Sequence, residues 1–346
     1  MFVIKKLSIL FLIALLPSLS AADSADSKLL AQGRVDDAIA SLQGRISHAP
    51  NDAESYNLLC RAYLTLSDWD RGVPACEKAV SLDPGNAQYH LWLGRIYGEK
   101  ADHVGFFSAA SLARKVHSEF ETAVRLDPNN AEARTDLAEF YMEAPGIMGG
   151  GRDKAEAQAQ KLATLDPIRA GWVKGRLAEK KKDLISAENQ YRAAIEASHG
   201  AALAWLNLAF FYRQTGRLDA MEDAIRHASS APLDQPEVLM ESAAVLLRSK
   251  RDLAQATQLL RRYLLSGPTV EAAPAFKAHY LLGTALEQQG DHPAAAQQYR
   301  TSLSLAKSFI LAQTALDRLN REVAGVSEPG QVNSRAQESE DQADSL

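Results

Sequence analysis

The stretch from Ala53 to Asn86, AESYNLLCRAYLTLSDWDRGVPACEKAVSLDPGN, is the most informative part of the chain. Its first half places apolar side chains at spacings of three, one and four residues, which is the pattern of one helix face. Its second half carries small residues and ends at Pro84, which cannot continue a helix because it lacks a backbone N–H. The stretch therefore predicts two helices that pack as a hairpin through Tyr56, Leu59, Cys60, Tyr63, Gly72, Cys76 and Ala79.

The proline that ends this stretch recurs at similar positions along the chain. The tripeptide Leu-Asp-Pro ends at Pro84, Pro128 and Pro167, and Pro50 precedes Pro84 by 34 residues. This period, with small residues where two helices cross and a closing proline, resembles the tetratricopeptide repeat (TPR). The resemblance implies an all-α fold, a right-handed superhelical solenoid of antiparallel helix hairpins. A related helical-repeat family with a similar period is the alternative.

Further units resemble the first one. They begin near residues 87, 131, 202 and 276, and weaker ones begin near 168 and 237. Residues 27–50 read as half a unit, and the amphipathic stretch 309–319 predicts a capping helix that shields the last apolar face. We therefore expect a solenoid over residues 23–324, with about seven full hairpins, a partial first one and a C-terminal cap.

The N-terminus reads as a secretory signal peptide. Lys5 and Lys6 precede the apolar run 7–16, and small residues follow up to Ala22. The run is about ten residues long, too short for a hydrocarbon core of about 30 Å, although an uncleaved anchor is the alternative. We expect cleavage after Ala22 (signal peptide 1–22), a periplasmic or secreted protein, and no stable membrane span in the mature chain.

The amino-acid composition and net charge limit the kinds of partner that the protein is expected to bind. The chain of 346 residues carries a net charge of −5. No strongly basic balance indicates nucleic acid, so none is expected as a partner. Residues 325–346 are acidic and almost without apolar side chains, which predicts a disordered acidic tail.

Two hairpins contain insertions. One lies near residues 100–112 and includes Phe106 and Phe107, and the other spans residues 144–151 and includes Ile147 and Met148. Both fall between the two helices of a hairpin, so they project from one edge of the solenoid. The phenylalanines are expected to pack on the solenoid or to anchor a partner. The glycine-rich tip is either a flexible turn or folds back over a ligand or a neighbouring helix.

No catalytic or cofactor signature is present in the sequence. Gly146–Gly151 has the glycine spacing of a phosphate loop but lacks the Lys and Ser or Thr that must follow. His103 and His117, with Asp102 nearby, lack matched metal-ligand spacing. We therefore expect no enzyme activity, no cofactor and no metal.

Cys60 and Cys76 are the only cysteines and fall on the two helices of one predicted hairpin. Export favours oxidation, and a bridge would close a loop of about 15 residues and contribute about 3 kcal/mol. Two buried thiols that act as small apolar residues are the equal alternative.

The resemblance implies that the first helices line a concave groove. Chaperone-tail TPR domains bind carboxylates there through Lys and Asn, but Arg61 replaces an expected Asn beside Asn57 and the lysines are missing. Arginine binds carboxylates bidentately, so a different peptide surface is expected. The expected groove residues are Asn57, Arg61, Arg95, Trp172, Arg176, Phe210, Arg213, Arg248 and Tyr280.

These features predict an exported scaffold that binds a protein or an extended peptide, in a cell-envelope assembly or maturation context. A non-catalytic accessory subunit of an envelope enzyme complex is one alternative. A small-ligand binder that uses the glycine-rich tip as a lid is another, and a solvated inner wall with no specific ligand is the third.

Overall fold

A computed structural model of the chain describes residues 25–232, 235–266 and 269–323. The signal peptide expected over residues 1–22 and the acidic tail expected over 325–346 lie outside the described residues. Within the described ranges the chain is all-α, with seventeen α-helices and one short 3-10 helix. The helices pair as hairpins in chain order, so the predicted all-α solenoid of antiparallel hairpins is confirmed.

The helix bounds follow the repeat pattern. Each odd-numbered helix up to α15 is the first of a hairpin and the next even-numbered helix is its partner, while α17 stands alone at the end. The helices are α1 Ala25–Ala31, α2 Val35–His48, α3 Ala53–Thr65, α4 Trp69–Leu82, α5 Ala87–Asp102, α6 Phe106–Leu126, α7 Ala131–Glu143, α8 Arg152–Leu165, α9 Pro167–Lys180, α10 Leu184–Ala197, α11 Ala202–Gln214, α12 Leu218–Ser230, α13 Glu237–Arg248, α14 Leu253–Leu265, α15 Ala275–Gln288, α16 His292–Leu305 and α17 Ile310–Val323.

Side chains of Asp and Asn start many of these helices. Asp52, Asn86 and Asn130 each accept a hydrogen bond from a backbone N–H in the first turn of the helix that follows. At the third Leu-Asp-Pro, Asp166 caps α9 and Pro167 is its first residue, so α8 and α9 meet with almost no loop. The tripeptide therefore marks both the end of one hairpin and the start of the next.

Glycine on the first helix lets the second helix come close. In three hairpins a Cβ added to this glycine would lie less than 3.0 Å from an aromatic ring of the partner helix. The rings sit where a larger residue would force the helices apart, which explains the small residues at the points where two helices cross. The pairs are Gly94 with Phe120, Gly175 with Tyr191, and Gly283 with Tyr299.

The apolar core extends between the ends of the chain. One cluster contains buried residues of the middle and C-terminal hairpins. A second cluster contains the N-terminal hairpins, with Leu30 and Val35, but also Phe276, Phe309 and Leu311 from the C-terminal end. The first and last turns of the solenoid therefore belong to one continuous apolar core.

The first insertion is helical. Phe106 is the first residue of α6, which has 21 residues, and α5 before it has 16, whereas the helices of the preceding hairpin have 13 and 14. The expectation that Phe106 and Phe107 lie between the two helices of the hairpin is therefore wrong, because both belong to α6. The added residues lengthen both helices, and the hairpin tip projects beyond its neighbours.

The structure joins Cys60 on α3 to Cys76 on α4 as a disulfide, with Cα atoms 5.1 Å apart. That separation lies within the range that a bridge accommodates. The bridge ties the two helices of the hairpin that carries the clearest repeat pattern.

We expect the mature protein to be about 2 Da lighter before reduction than after it, because a disulfide lacks the two thiol hydrogens. Intact-protein mass spectrometry of material alkylated without reductant measures this. A Cys76→Ser variant is the control and should not change mass on reduction. Equal masses for the unmodified chain before and after reduction would rule out the bridge.

Candidate functional site

The first helices of the hairpins form the concave side of the solenoid. They pack side by side in the pairs α3 with α5, α7 with α9, α9 with α11, α11 with α13, and α13 with α15. The second helices of successive hairpins approach one another less, so the stack curves toward the first helices. The curvature brings side chains from distant repeats to face one another across the concave side.

The curvature is large enough to bring the two ends of the solenoid together. Arg61 on α3 binds Glu271, which precedes α15, through two hydrogen bonds, with Nε 2.7 Å from Oε1. The backbone N–H of Lys307 donates to Asp36 at 2.8 Å. The hydroxyl of Thr269 donates to the carbonyl of Ala31. Elements separated by more than 200 residues in sequence are thus held together by polar contacts.

The backbone also comes close at this junction. Gly33 has a φ of +71°, which an L side chain adopts with strain, and it lies in the turn between α1 and α2. A Cβ added to Gly33 would lie 2.7 Å from the backbone nitrogen of Ala275. The turn therefore sits directly against the start of α15. The concave groove becomes a cavity with a wall supplied by the other end of the chain.

A cavity of about 860 Å³ lies behind this junction. Its walls come from α3, α5, α6 and α7 on one side, and from the segment before α15, the start of α15 and the start of α17 on the other. Trp92, Phe140 and Phe309 supply aromatic surface to the lining. The volume is that of a site which takes several amino-acid side chains.

Two arginines pack against one tryptophan in this cavity. The guanidinium carbons of Arg61 and Arg95 lie 4.8 and 4.7 Å from the ring centroid of Trp92. Arg95 donates to Asp136 at 2.6 Å and to Glu132 at 3.2 Å. Each guanidinium is thus held by an aromatic face and by carboxylates of this chain.

A similar arrangement recurs farther along the inner side. Trp172 donates its indole N–H to Glu139 at 2.6 Å. Arg176 lies 5.7 Å from the Trp172 ring and pairs with Glu143 at 3.2 Å and Glu179 at 3.1 Å. Phe210 packs edge-on against Trp172, with ring centroids 6.4 Å apart.

These contacts correct the expected use of the groove residues. Three of the expected groove residues already bind carboxylates of this chain, namely Arg61, Arg95 and Arg176. Their guanidinium groups are therefore not free to bind an incoming carboxylate. Asn57 is only 3% exposed and its amide nitrogen has no hydrogen-bond partner in the described ranges, so it is not available to a partner. Arg95 and Arg176 are paired within their own and neighbouring hairpins, and Arg61 is paired through the closure of the solenoid, none of which the periodicity of single helices reveals.

The remaining groove residues lie farther along the inner side. Arg213 is half-buried, and we find no hydrogen bond or ion pair of its guanidinium among the described residues. Arg248 on α13 stabilises the charged form of Glu241 on the same helix. Tyr280 packs against Phe309 and Tyr299, with ring centroids 5.4 and 5.8 Å apart, so it supports the junction between the ends.

The inserted tips differ from each other. Phe106 is 79% exposed and Phe107 is 89% exposed, and the two rings touch edge to face with centroids 5.6 Å apart. The expectation that they pack on the solenoid is therefore wrong. Their alternative role, as a contact for a partner, stays a prediction.

The glycine-rich tip folds back onto its neighbours through its backbone. A Cβ on Gly149 would lie 2.7 Å from the ring of His117 on α6, and Lys154 donates to the Gly149 carbonyl at 2.8 Å. Ile147 instead points outward and is 88% exposed, while Met148 is half-buried. The folded-back alternative therefore describes the tip, but Ile147 does not make the contact.

Sequence reasoning missed several cavity residues. Trp92, Glu99 and Lys277 lie outside the core stripe of their helices, and Glu271 lies in a connection where periodicity gives no register. Only the contact between the two ends places Glu271 and Lys277 opposite α3 and α5. No local signal in the sequence identifies them.

Lys277 is the unusual titratable group of the cavity. Burial lowers the pKa of Lys277 to about 8, and the carboxylates of Glu241 and Glu99 oppose that shift. Burial also raises the pKa of Glu99, to which Asp102 contributes, and raises the pKa of Glu241. Charged side chains in these surroundings are therefore less well solvated than they would be in bulk water.

The described residues were also searched for metal sites and for membrane-spanning helices. They contain no group of three or more His, Cys, Asp or Glu side chains that could hold a metal ion. His103 stacks on Trp69 and His117 stacks on Phe140, with centroids 4.1 and 5.1 Å apart. None of the helices described is both long and apolar enough to span a bilayer.

The repeats of this chain match models of a known family. Models of the tetratricopeptide repeat match residues 28–87, 57–110, 202–233 and 241–308. The chain belongs to the tetratricopeptide repeat family, whose members are typically non-catalytic scaffolds for protein interaction. No curated protein matches the chain by sequence.

Solved structures resemble this chain at low sequence identity. Yeast Tom70 is 17% identical with a TM-score of 0.51, and the alignment covers 85% of this chain and 60% of that one. A chain of the APC/C hetero-tetramer Cut9–Hcn1 is 14% identical with a TM-score of 0.39, covering 84% and 54%. A thermophilic TPR protein from Thermus thermophilus is 20% identical with a TM-score of 0.45, covering 55% and 98%. The chain thus spans little more than half of the first two structures.

We expect Glu271→Gln to loosen the junction between the ends, because it leaves the half-buried Arg61 guanidinium without its paired carboxylate. The cost should be about 1–3 kcal/mol. Small-angle X-ray scattering should show a larger radius of gyration than for the unmodified protein. Glu156→Gln, which removes an exposed pair with Lys181 at 2.9 Å, is the matched control and should leave the curve unchanged. Equal curves for both variants would show that the ion pair does not hold the ends.

We expect Lys277 to be acetylated by acetic anhydride with a midpoint near pH 8, because its amine loses the proton there. Competitive labelling followed by peptide mass spectrometry gives the midpoint for each lysine. Glu241→Gln should lower the Lys277 midpoint further, since it removes a carboxylate that favours the ammonium form. Glu196→Gln on α10 makes the same chemical change on an exposed position and should have no effect. A Lys277 midpoint in the ordinary range of lysine, about 10.4, contradicts this assignment.

Proposed function

We propose that this protein is an exported, non-catalytic scaffold that binds a protein partner through an extended segment held in the cavity of the concave side. The observation that carries the proposal is the cavity between α3, α5 and α7 and the C-terminal end of the solenoid. Its wall is rigid because ion pairs and aromatic contacts fix the lining side chains. A pre-ordered wall reduces the ordering cost on the protein side, so an extended segment binds with less loss of entropy.

The exposed Phe106 and Phe107 supply a second contact in this proposal. They project from the longest hairpin, and aromatic side chains dominate the energetics of many interfaces. A partner that fills the cavity and also touches this tip would contact the protein at two places. Simultaneous engagement of two sites increases avidity without altering either contact.

The apolar run at 7–16 and the small residues before Asp23 support export, and an envelope assembly or maturation role follows from that location by analogy. A non-catalytic accessory subunit of an envelope enzyme complex would use the same binding cavity. Export predicts that the mature chain begins at Asp23. Mass spectrometry of the N-terminal peptide from the exported fraction checks this start.

Site-specific photocrosslinking in intact cells tests the binding proposal. Benzoylphenylalanine replaces Leu64, which lines the cavity, or Phe107 at the projecting tip, while the same substitution at the exposed Glu196 on α10 is the control. We expect polypeptide adducts from positions 64 and 107, identified by mass spectrometry, and few from position 196. Adducts confined to position 196, or no polypeptide adduct at position 64, would contradict a cavity that binds a protein segment.

A further inference from the structure

One buried histidine lies where the third full hairpin, α5 with α6, joins the hairpin before it. His90 is in the first turn of α5 and is only 7% exposed. Its Nδ1 lies 2.5 Å from a carboxylate oxygen of Glu119 on α6, and its Nε2 lies 3.0 Å from the carbonyl oxygen of Pro84. Pro84 belongs to the Leu-Asp-Pro turn between α4 and α5. The imidazole therefore links two hairpins at the base of the one that projects beyond its neighbours.

Both partners of the His90 ring are hydrogen-bond acceptors. A neutral imidazole carries one N–H and can donate only one such bond, whereas the imidazolium cation donates two. A glutamic acid ordinarily loses its proton at about pH 4 and an imidazolium at about pH 6.5, so the proton shared by this pair resides on the ring. The geometry therefore assigns a charged His90 whose two N–H groups bind Glu119 and Pro84.

The next hairpin makes the same two contacts with an arginine. Arg134 is the fourth residue of α7, as His90 is of α5, and each follows the proline of a Leu-Asp-Pro turn. Arg134 donates to the carbonyl of Pro128 at 2.7 Å and to the side-chain oxygen of Gln158 on α8 at 2.7 Å. Arginine has only donors and stays charged, so this position of the repeat is occupied by a double donor. His90 can fill the same role only while it is protonated.

A second histidine at the same position of the repeat shows the neutral alternative. His279 on α15 lies four residues before the crossing glycine Gly283, as His90 lies four residues before Gly94. Its Nδ1 donates to the side-chain oxygen of Gln298 on α16 at 2.8 Å, and we find no partner for its other ring nitrogen in the described part of the chain. Burial lowers the pKa of His279, so this ring is neutral at pH 7.

The charged groups around His90 act in opposite directions. The hydrogen bond to Glu119 raises the pKa of His90, whereas burial and the charge of Arg125 lower it, and the net shift is upward. The other elements packed against α5 also carry charged groups, each of which acts on a different residue. They are Glu54 on α3, which acts on Tyr89, Asp83 in the turn, which accepts from the N–H of Gly85, Glu77 on α4, which binds Tyr97, and Glu132 and Asp136 on α7, which bind Arg95.

The direction of the pH effect follows from the upward shift. A histidine whose pKa is higher in the folded chain than in the unfolded chain contributes its full stabilisation below the unfolded pKa of about 6.5. That contribution is lost as the pH rises through the folded pKa, because the ring then gives up one of its two donated bonds. An acceptor at this buried place is left without its donor, which costs free energy.

Loss of a bond here affects both contact surfaces of the hairpin. Trp92 and Arg95 follow His90 on α5 and line the cavity. The exposed Phe106 and Phe107 lie beyond the other end of α5, which is about twelve residues or 18 Å from His90. A change in packing at the base of the hairpin therefore moves the cavity wall and the projecting tip.

We propose that His90 is a pH-sensitive latch: as a cation it holds α5 and α6 to the turn that ends the preceding hairpin, and it releases this junction as the pH rises. The latch is a property of the fold, so it holds whether or not the cavity binds a protein segment. A rise in pH loosens the base of this hairpin, while the equivalent junction held by Arg134 keeps both of its bonds.

Nitrogen-15 NMR of the imidazole rings in the mature protein tests the charge of His90. We expect both ring nitrogens of His90 to carry protons at pH 7, and its titration midpoint to lie above that of His279, the matched control within the same chain. Glu119→Gln gives His90 the amide acceptor that His279 has, so it should lower the His90 midpoint. A singly protonated His90 ring at pH 7, or a midpoint that Glu119→Gln leaves unchanged, would overturn the proposal.

Hydrogen–deuterium exchange measures the release of the junction. Between pH 7 and pH 9.5, peptides from the first turn of α5 should lose protection roughly tenfold relative to the His90→Arg variant, which keeps a charged double donor. Comparing the two proteins at each pH removes the intrinsic pH dependence of exchange.

Peptides from the first turn of α15, which carries the neutral His279, are the internal control and should exchange alike in both proteins. Equal loss of protection at α5 with histidine and with arginine at position 90 would contradict the latch. If His90→Arg does not fold, the ring-nitrogen spectrum of the unmodified chain still decides whether His90 carries the charge that the latch requires.

Discussion

The closure of the solenoid on itself underlies the whole candidate site. The curvature arises because the first helices of successive hairpins pack more closely than the second helices do. Summed over successive hairpins, that curvature brings the segment before α15 against α3. The Arg61–Glu271 ion pair and the packing of Gly33 on Ala275 then fix the junction. Without closure, the concave side would be an open groove with one wall.

Closure also changes the chemistry of the inner side. In an open groove, Arg61 would be free to bind a ligand carboxylate. In the closed solenoid its guanidinium is bound by Glu271, whereas Arg95 is bound by Asp136 of the neighbouring hairpin, a pair that does not depend on closure. The arginines therefore act as structural cations, and the unpaired groups that remain are mostly carboxylates. The contact between the chain ends thus removes Arg61 from the groups that an incoming carboxylate could bind.

The insertions illustrate how the repeat tolerates additional residues. The first insertion extends α5 and α6 and raises Phe106 into solvent, whereas the second forms a compact tip that rests on His117 through Gly149. Both preserve the helix crossing at the base of the hairpin, because the added residues lie beyond it. The solenoid can therefore change at its edge while the concave side keeps its geometry.

Local sequence patterns were sufficient to predict the architecture. The spacing of Tyr56, Leu59 and Tyr63, the recurring Leu-Asp-Pro, and the alternation of small and bulky residues specify helices, hairpins and their order, because these are local properties of the chain. The same patterns identified the helices that carry the groove arginines and aromatic residues.

The contacts of the site could not be predicted in this way. The meeting of the two ends, the burial of Asn57, and the placement of Glu271 and Lys277 opposite α3 and α5 appear only in the folded chain. The reason is physical: a small rotation per hairpin accumulates over the whole array, and no short stretch of sequence contains that sum.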